Sequence, residues 1–284
     1  MERVIQPGET AQEIVEKLRS SPNLIGDRSL SNPLLSGQPV ARNLPSCPLC
    51  DGMGWKPIIV DGIRRVRECE CAIERRKRTL LKRLPERFCG VRLQELAACD
   101  DASRCFAPAG IQEKVINLLR EKPNDSYAFF GPPGWAKSHY LAALYRHVVE
   151  TRGKACYYLQ AEELVRGFRE LELNHETDVC LTDEILRLNV EQGIRPRIFL
   201  DEVDRFPTLS QFVWAKMGGF FDLVYRMAGS DSSKVQLCIA SNLTREQFGE
   251  MWGAAILRRI NEVCVPIDFF ELEESEVGNV AVPA

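Results

Sequence analysis

The fold is decided by the stretch Tyr127–Ser138, which reads YAFFGPPGWAKS: an apolar run is broken by a Gly/Pro turn and closed by Lys-Ser. Such a turn can point its backbone N–H groups at phosphate oxygens, and a following helix directs its positive N-terminal dipole at the same anion. Gly131 and Gly134 permit this backbone, while Pro132 and Pro133 stiffen it. The stretch is therefore predicted to be a phosphate-binding loop.

The end of the loop predicts nucleotide chemistry. Lys137 would reach the β- and γ-phosphates, and the Ser138 hydroxyl would be a Mg²⁺ ligand. The usual pattern is G-x-x-x-x-G-K-[ST], and here Ala136 stands in place of its last glycine. The alternative is a Gly/Pro turn that caps an ordinary helix. The helical spacing of apolar residues over His139–Glu150 favours the phosphate-binding interpretation. The predicted nucleotide-binding residues of the loop are Gly131, Pro132, Pro133, Gly134, Trp135, Ala136, Lys137 and Ser138.

A second motif, Arg197–Asp204, is an apolar strand that ends in carboxylates. Beside a phosphate-binding loop, Asp201 would hold Mg²⁺ through its hydration shell, and Glu202 would polarise the attacking water. An acidic strand end taken alone is often a loop or a helix cap. The pairing with the upstream loop favours the functional interpretation.

The order of predicted elements defines the fold class. Helices are expected at Ser103–Arg120 and Ala161–Leu171, and strands at Ala155–Leu159, Val235–Ala240 and Val263–Ile267. Strand alternating with helix predicts an α/β fold, in which a parallel sheet is flanked by helices and the ligand lies at the carboxyl ends of the strands.

Two further candidates follow the last motifs. Asn242, directly after a predicted strand, would sense the γ-phosphate or shape the turn before a helix that Thr244 and Gln247 cap. Arg258 and Arg259 are adjacent on one short helix, so they cannot share a face. One would pair locally, and the other would project toward the nucleotide of a neighbouring subunit as an arginine finger.

Four cysteines near the N-terminus form two close pairs, Cys47 with Cys50 and Cys69 with Cys71. Four thiolates suit tetrahedral Zn²⁺, and the intervening Ile58–Ile63 predicts a hairpin that returns the chain to the second pair. The second pair has one intervening residue rather than two, and free buried thiols are the alternative. With four protein ligands, such a site would fold a small module and perform no chemistry.

A basic helix, Ala72–Leu84, follows the cysteines and would either contact nucleic-acid phosphates or be a solvated linker. Positive charge is concentrated here, with ten Lys/Arg against four Glu between Arg64 and Arg87. Upstream, Glu9–Leu18 is predicted to be a small helix, frayed or docked on a partner, followed by a flexible connector. At the other end, Asp268–Ala284 holds five acids and no base.

Composition bounds the remaining possibilities. The chain has 284 residues, of which 45% are hydrophobic, enough for one large or two modest domains. It shows neither a signal-peptide pattern nor an apolar run of membrane-spanning length, so a cytoplasmic protein with no membrane partner is expected. Eleven cysteines, an odd number without a signal peptide, indicate reduced thiols and a metal site rather than disulfides.

Taken together, the motifs Gly131–Ser138, Leu200–Asp204, Ala240–Asn242 and Arg258-Arg259 resemble the AAA+ ATPases of the DnaC/IstB group, which includes helicase loaders and transposition helpers. The resemblance covers roughly residues 84–270, and Ala-Lys-Ser also recurs in other AAA+ groups such as MCM and MoxR. It implies the AAA+ sheet order, ATP with Mg²⁺ as ligands, and homo-oligomers or filaments on DNA, single-stranded or duplex. The family often has Arg, three residues, then Arg. Here Ala255 takes the first place, so the finger rests on Arg259.

The resemblance leaves three functions open: an ATPase that loads a replicative helicase, an ATP-dependent target selector for a transposase, and a nucleotide-binding adaptor with little turnover. The zinc module favours the loader, because transposition helpers generally lack it. The predicted domains are residues 1–46 as helix and linker, 47–83 as zinc module and basic helix, 84–270 as the ATPase domain and 271–284 as an acidic tail.

Overall fold

The computed structural model describes residues 3–4, 47–99, 105–173, 195–206, 209–228 and 235–272. The predicted helix Glu9–Leu18 lies outside these residues, as does the acidic tail beyond residue 272. The chain divides into two compact units, Met1–Arg76 and Lys77–Ala284. The predicted domain boundaries stay predictions.

The first unit contains a small antiparallel sheet. Its strands are β1 (Arg3–Val4), β2 (Trp55–Val60) and β3 (Ile63–Glu68), in the order β1-β3-β2. Strands β2 and β3 form the predicted hairpin, with Val60 opposite Ile63. Asp61 and Gly62 make the two-residue turn, and both have positive φ, as the tightest hairpin turns require.

Helix α1 (Glu70–Leu81) follows the hairpin and contains the point where the two units divide. It begins and ends earlier than the predicted Ala72–Leu84, so Lys82 lies beyond its C-terminus. Within the first unit, the Arg76 guanidinium is ion-paired with Glu68. The basic side chains of this helix are therefore partly engaged in contacts within the protein.

The second unit alternates strands and helices as predicted. Its strands are β4 (Tyr127–Phe130), β5 (Cys156–Gln160), β6 (Arg197–Asp201), β7 (Gln236–Ser241) and β8 (Val265–Asp268). Its helices are α2 (Ala109–Glu121), α3 (Lys137–Thr151), α4 (Ala161–Leu173), α5 (Gln211–Ala228), α6 (Arg245–Trp252) and α7 (Ala254–Val263). The capping box predicted for Thr244 and Gln247 is present at the start of α6.

The five strands form a parallel sheet in the order β5-β6-β7-β4-β8. Alternate side chains of β4 enter two separate cores, since successive residues of a strand face opposite sides. Tyr127 and Phe129 pack with helices α2 and α3, whereas Ala128 and Phe130 pack with α4 to α7. The sheet is thus covered on both faces, and its ligand groups emerge at one edge.

Helix α2 starts later than the sequence predicted, at Ala109 rather than Ser103. Pro108 precedes it as the N-cap, and proline is tolerated only at the beginning of a helix. The segment just before Pro108 has another role, because the Phe106 N–H donates to the Gly134 carbonyl. None of the helices among the described residues has the length and apolar character needed to cross a membrane.

Candidate functional site

The predicted phosphate-binding loop joins strand β4 to helix α3 and requires both of its glycines. A Cβ at Gly131 would lie 2.7 Å from the Cβ of Phe269. Gly134 has φ +83°, and a Cβ there would lie 2.2 Å from a ring carbon of Phe106. Neither position can accept a side chain without displacing an aromatic neighbour.

Ala136 occupies the left-handed region that glycine favours, with φ 56° and ψ 13°. This conformation costs an L-residue about 1–2 kcal/mol. The residue is partly buried and packs against the core between the sheet and helices α2 and α3. Ala136 therefore contacts the core and also lines the cleft described below.

The Lys137 ammonium lies inside the loop, 6% exposed. Its Nζ donates to the carbonyl oxygens of Gly131 at 2.7 Å and Pro132 at 2.6 Å. Burial lowers the pKa of Lys137 to about 8, against the opposing influence of Asp204 and Asp201. The loop thus holds a cation that a phosphate would stabilise.

Asp201 is the best-supported carboxylate of the site. Its Oδ1 accepts from the Ser138 hydroxyl at 2.9 Å, and its Oδ2 accepts from the Tyr158 hydroxyl at 2.9 Å. The Glu202 N–H donates to the same Oδ1 at 3.1 Å. Burial raises the pKa of Asp201, and these hydrogen bonds oppose that rise. Ser138 and Asp201 together offer the hard oxygen ligands that Mg²⁺ prefers, so the donor set fits the predicted metal.

These groups open into one cleft of about 220 Å³ at the carboxyl edge of the sheet. From the predicted site, its lining includes Pro133, Gly134, Trp135, Ala136, Lys137, Ser138, Asp201, Glu202 and Asn242. Two features decide the fold. A strand–loop–helix places a buried lysine beside an acidic strand end, and β4 lies between β7 and β8 in the sheet. It is a P-loop fold with a five-stranded parallel sheet flanked by helices.

Solved structures of similar shape include a DnaC helicase loader, at 16% identity and TM-score 0.49 over 65% of this chain and 99% of that one. AMPPCP-bound DnaA from Aquifex aeolicus has 16% identity and TM-score 0.43, over 71% of this chain and 58% of that one. Domain III of DnaA from Thermotoga maritima has 13% identity and TM-score 0.41, over 68% and 76%. No protein-family model matches the chain, and no curated protein matches it.

Glu202, the predicted water-activating residue, lies at the cleft with φ 56°. Its carboxylate is ion-paired with Arg205 at 3.0 Å, and the Arg205 side chain is 64% exposed. The pair lies close to solvent, so it can exchange with water at modest cost. Glu202 is thus within the cleft but shares its carboxylate with a neighbouring cation.

Asn242 reaches the same cleft from the end of β7. Its backbone N–H and side-chain amide both donate to the Asp204 carboxylate, at 2.8 and 3.0 Å. Asp204 therefore fixes the amide of Asn242 at the cleft edge. This position is compatible with both predicted roles, γ-phosphate sensing and shaping the turn.

The two arginines of helix α7 do not line the cleft of their own chain. Arg259 is ion-paired with Asp222 at 2.6 Å and lies over the Tyr225 ring, 5.6 Å from its centroid. The Arg258 side chain is 71% exposed and pairs with Glu262 at 3.5 Å. Both arginines border the hydrogen-bonded pair Tyr225 and Glu262, and their roles toward a second subunit remain a prediction.

Four residues of the site were missed by sequence reasoning: Arg87, Tyr158, His139 and Arg205. Arg87 and His139 line the cleft, and their neighbour Phe88 packs edge-on against His139 with ring centroids 4.9 Å apart. A tyrosine on an otherwise apolar strand was the available signal for Tyr158, since a buried hydroxyl needs an acceptor. Arg87 gave no such signal, because only folding brings residues so distant in sequence together.

The four predicted zinc ligands form a second candidate site, in the first unit. Their Sγ atoms all lie within 4.8 Å of one another, with Cys47 to Cys69 at 3.8 Å and Cys50 to Cys71 at 3.4 Å. A Zn–S length of about 2.3 Å implies sulfurs about 3.8 Å apart in a tetrahedron. The spacing of the thiols therefore fits Zn²⁺.

The pKa values of the thiols in this cluster are shifted in different directions. Burial raises the pKa of Cys50, but the Gly54 N–H and the neighbouring sulfurs lower it to about 7 overall. Burial and the neighbouring sulfurs raise the pKa of Cys71 to about 12. Four sulfurs in contact cannot all ionise without a cation to compensate their charge, which is the role of the metal in such sites.

Proposed function

We propose that the chain binds ATP with Mg²⁺ in this cleft and hydrolyses it. The observation that carries the proposal is the 2.9 Å hydrogen bond between the Ser138 hydroxyl and Asp201, which joins the phosphate-binding loop to the acidic strand end. Buried beside it, Lys137 supplies the cation for the β- and γ-phosphates. An arrangement of this kind positions phosphoryl groups, which is the main contribution of a protein to phosphoryl transfer.

Each residue has a separate task in the proposed reaction. Ser138 and Asp201 hold the metal, which when bound neutralises charge that develops on the phosphates. Glu202 accepts the proton of the attacking water after its carboxylate leaves Arg205. Asn242, fixed by Asp204, donates its amide toward the γ-phosphate.

Two substitutions test this assignment. Lys137→Ala should lose ATP binding, whereas Glu202→Gln should keep binding and lose turnover by about 10²-fold or more. Nucleotide affinity and single-turnover hydrolysis are measured on both. Wild-type hydrolysis by Glu202→Gln would remove its role, and wild-type ATP binding by Lys137→Ala would remove the nucleotide site itself.

We further propose that ATP and DNA drive homo-oligomer formation, and that Arg259 completes the site of a neighbouring subunit. In one chain Asp222 holds this guanidinium, so assembly must exchange that ion pair for phosphate. Arg259→Ala should bind ATP and hydrolyse it poorly. Mixing it with Lys137→Ala should recover activity, since one intact loop can meet one intact finger. Co-assembly without recovery would move the finger elsewhere, and Arg258 is the first candidate.

The proposed biological role is loading of a replicative helicase onto DNA, with single-stranded DNA as the favoured polymer. Support comes from the sequence resemblance to the DnaC/IstB group and from a cysteine cluster that fits Zn²⁺. The transposition helper and the low-turnover adaptor are the alternatives. ATP-dependent capture of a replicative helicase hexamer, compared with capture of a transposase, separates the first two. ATP turnover that stays negligible in the presence of DNA and of the captured partner identifies the third.

In this proposal residues 84–270 are the ATPase domain, and residues 47–83 are a zinc module with basic residues that contact DNA. The positive charge between Arg64 and Arg87 supports the second assignment. Binding to phosphates should weaken steeply with salt, because each neutralised phosphate releases counterions. Fluorescence anisotropy with a labelled single-stranded oligonucleotide, at several salt concentrations, measures that slope.

A further inference from the structure

A segment before the α/β core, residues 80–96, is fastened to the helix that carries the phosphate-binding loop. Its Leu84, Phe88 and Leu93 are buried in the core. Helix α3 contacts its backbone directly: the Tyr145 hydroxyl donates to Leu80 O at 2.8 Å, and Arg146 donates to Cys89 O. The segment is thus held at two points, on either side of residue 87.

Further contacts hold the C-terminal part of this segment. Arg120 of helix α2 donates to the carbonyl oxygens of Leu93 at 3.2 Å, of Gln94 at 3.0 Å and of Leu96. Phe88 is 2% exposed, and its ring packs on His139, the residue after Ser138. The short turn Glu86–Phe88 therefore has a fixed position relative to the loop.

This turn places Arg87 at the cleft. The guanidinium carbon lies 4.7 Å from the centroid of the Phe88 ring, so the buried ring stabilises the cation through a cation–π contact. Arg87 forms no ion pair with any of the described residues. An arginine held on an aromatic ring without a carboxylate partner is prepared to bind an anion.

The position of the charge indicates which part of a nucleotide it would meet. Arg87 and Asp201 line the same cleft. The neighbour of Arg87, Phe88, packs against His139, which directly follows the Ser138 that donates to Asp201, so Arg87 lies on the Asp201 side of the loop. Ser138 and Asp201 are the residues that would hold the metal of a bound Mg·ATP, so the terminal phosphate would lie on the Asp201 side. Lys137 would occupy the inner side.

Charge balance in the cleft supports the same assignment. Before hydrolysis begins, Glu202 and Arg205 compensate each other, and Asp201 would compensate part of the metal charge. A bound metal cancels only part of the negative charge of a triphosphate. Lys137 and Arg87 are the cations left to meet the remainder.

We propose that the Arg87 guanidinium contacts the terminal phosphate of ATP bound in its own chain, and so makes the site prefer ATP over ADP. The inference rests on the proposed nucleotide site and adds a charged residue of the same chain that contacts the γ-phosphate beside Asn242. A guanidinium can form two parallel hydrogen bonds to a phosphate, and such charge-assisted bonds are stronger than neutral ones.

The test measures affinities of Mg·ATP and Mg·ADP for the full chain carrying Arg87→Gln, Arg87→Lys or Arg92→Ala. Arg92 is the matched control, because it belongs to the same segment, is 50% exposed and pairs with Glu95 and Glu150 instead of lining the cleft. Arg87→Gln should weaken ATP binding about tenfold and ADP binding less than about twofold, since charge-assisted hydrogen bonds are the larger ones. Arg87→Lys should recover part of the loss, and Arg92→Ala should match the wild type.

Equal weakening of ATP and ADP by Arg87→Gln, or no weakening of either, overturns the role of Arg87. Should Arg87→Gln fail to fold, the ATP-to-ADP ratio of Arg87→Lys decides: a wild-type ratio contradicts the proposal, and a reduced ratio supports it. Failure of the proposed function gives a different result. In that case the wild-type protein binds neither ATP nor ADP, or Lys137→Ala binds both as well as the wild type does.

Discussion

The nucleotide cleft and the cysteine cluster differ in what holds their ligand-binding groups. In the cleft, Lys137 donates to two backbone carbonyls, and Asp201 accepts from Tyr158 and Ser138. In the cluster the sulfurs mainly contact each other, with a Gly54 N–H donated to Cys50. The cleft is therefore part of the folded core of its unit, whereas the cluster would depend on the predicted Zn²⁺ for order.

The largest expected effect is metal removal. Purified protein should hold one equivalent of Zn²⁺, and chelation should unfold residues 47–71 while ATP binding persists, because structural zinc contributes about 10–16 kcal/mol in small domains. Metal analysis and hydrogen exchange measure the two outcomes. Cys47→Ser should behave like chelation. Cys89→Ser is the matched control, since Cys89 is exposed and outside the cluster. If the metal-free protein protects residues 47–71 fully from hydrogen exchange, the cluster needs no metal for order and does not differ from the cleft in this respect.

The second prediction concerns the support of Asp201. Tyr158→Phe removes the hydrogen bond to Oδ2, so turnover should fall about tenfold and the Mg²⁺ concentration for half-maximal activity should rise, since hydrogen bonds to charged groups are worth about 1.5–3 kcal/mol. Metal-free ATP affinity should stay the same. Turnover titrated with Mg²⁺ measures the effect.

Tyr140→Phe is the control for this substitution. Tyr140 is as buried as Tyr158, but its hydroxyl has no hydrogen-bond partner among the described residues. Removing that hydroxyl should leave turnover unchanged. If both variants lose activity alike, general loosening of the core explains the loss, and Asp201 needs no support from Tyr158.

The comparison also explains what could be predicted from the sequence. The phosphate-binding loop, the acidic strand end and the paired cysteines are local patterns, because each places its ligand groups within a few residues. Sheet order followed from the resemblance, and the structure confirms it. Zinc binding is supported by the sulfur spacing alone and stays a prediction.

Contacts between distant segments could not be predicted in this way. Tyr158 meets Asp201 because β5 lies beside β6, and Arg87 reaches the cleft because Phe88 is buried against His139. The start of α2 at Ala109 could have been predicted from the sequence, since Pro108 marks the beginning of the helix. Arg259 shows a further limit: its predicted partner belongs to a second chain, whereas the observed partner is Asp222.

The third prediction is a pH dependence of ATP binding in the cleft. Burial lowers the pKa of Lys137 to about 8, and a bound phosphate favours the charged amine. ATP affinity should therefore be constant well below pH 8 and fall as the pH rises through it, approaching tenfold per unit. Calorimetry in buffers of different ionisation enthalpy should show proton uptake near pH 8. Lys137→Arg, which does not titrate there, should bind with a flat profile. A flat profile in the wild type would mean that Lys137 is fully charged before ATP binds.

The smallest expected effect is at Ala136, where the loop departs from the usual glycine. Ala136→Gly relieves a left-handed conformation that costs about 1–2 kcal/mol. It also removes a methyl group and raises the conformational entropy of the unfolded chain, and both effects destabilise the protein. The free energy of unfolding should therefore change by less than about 1 kcal/mol. Ala155→Gly is the matched control, because Ala155 has φ 48° and lies outside the cleft. Both variants should keep ATP affinity within about twofold of the wild type, since Ala136 packs against the core and its backbone conformation is open to glycine. A rise in ATP affinity for Ala136→Gly alone would show instead that the Ala136 methyl crowds a phosphate and lowers the ATP affinity of the wild-type loop.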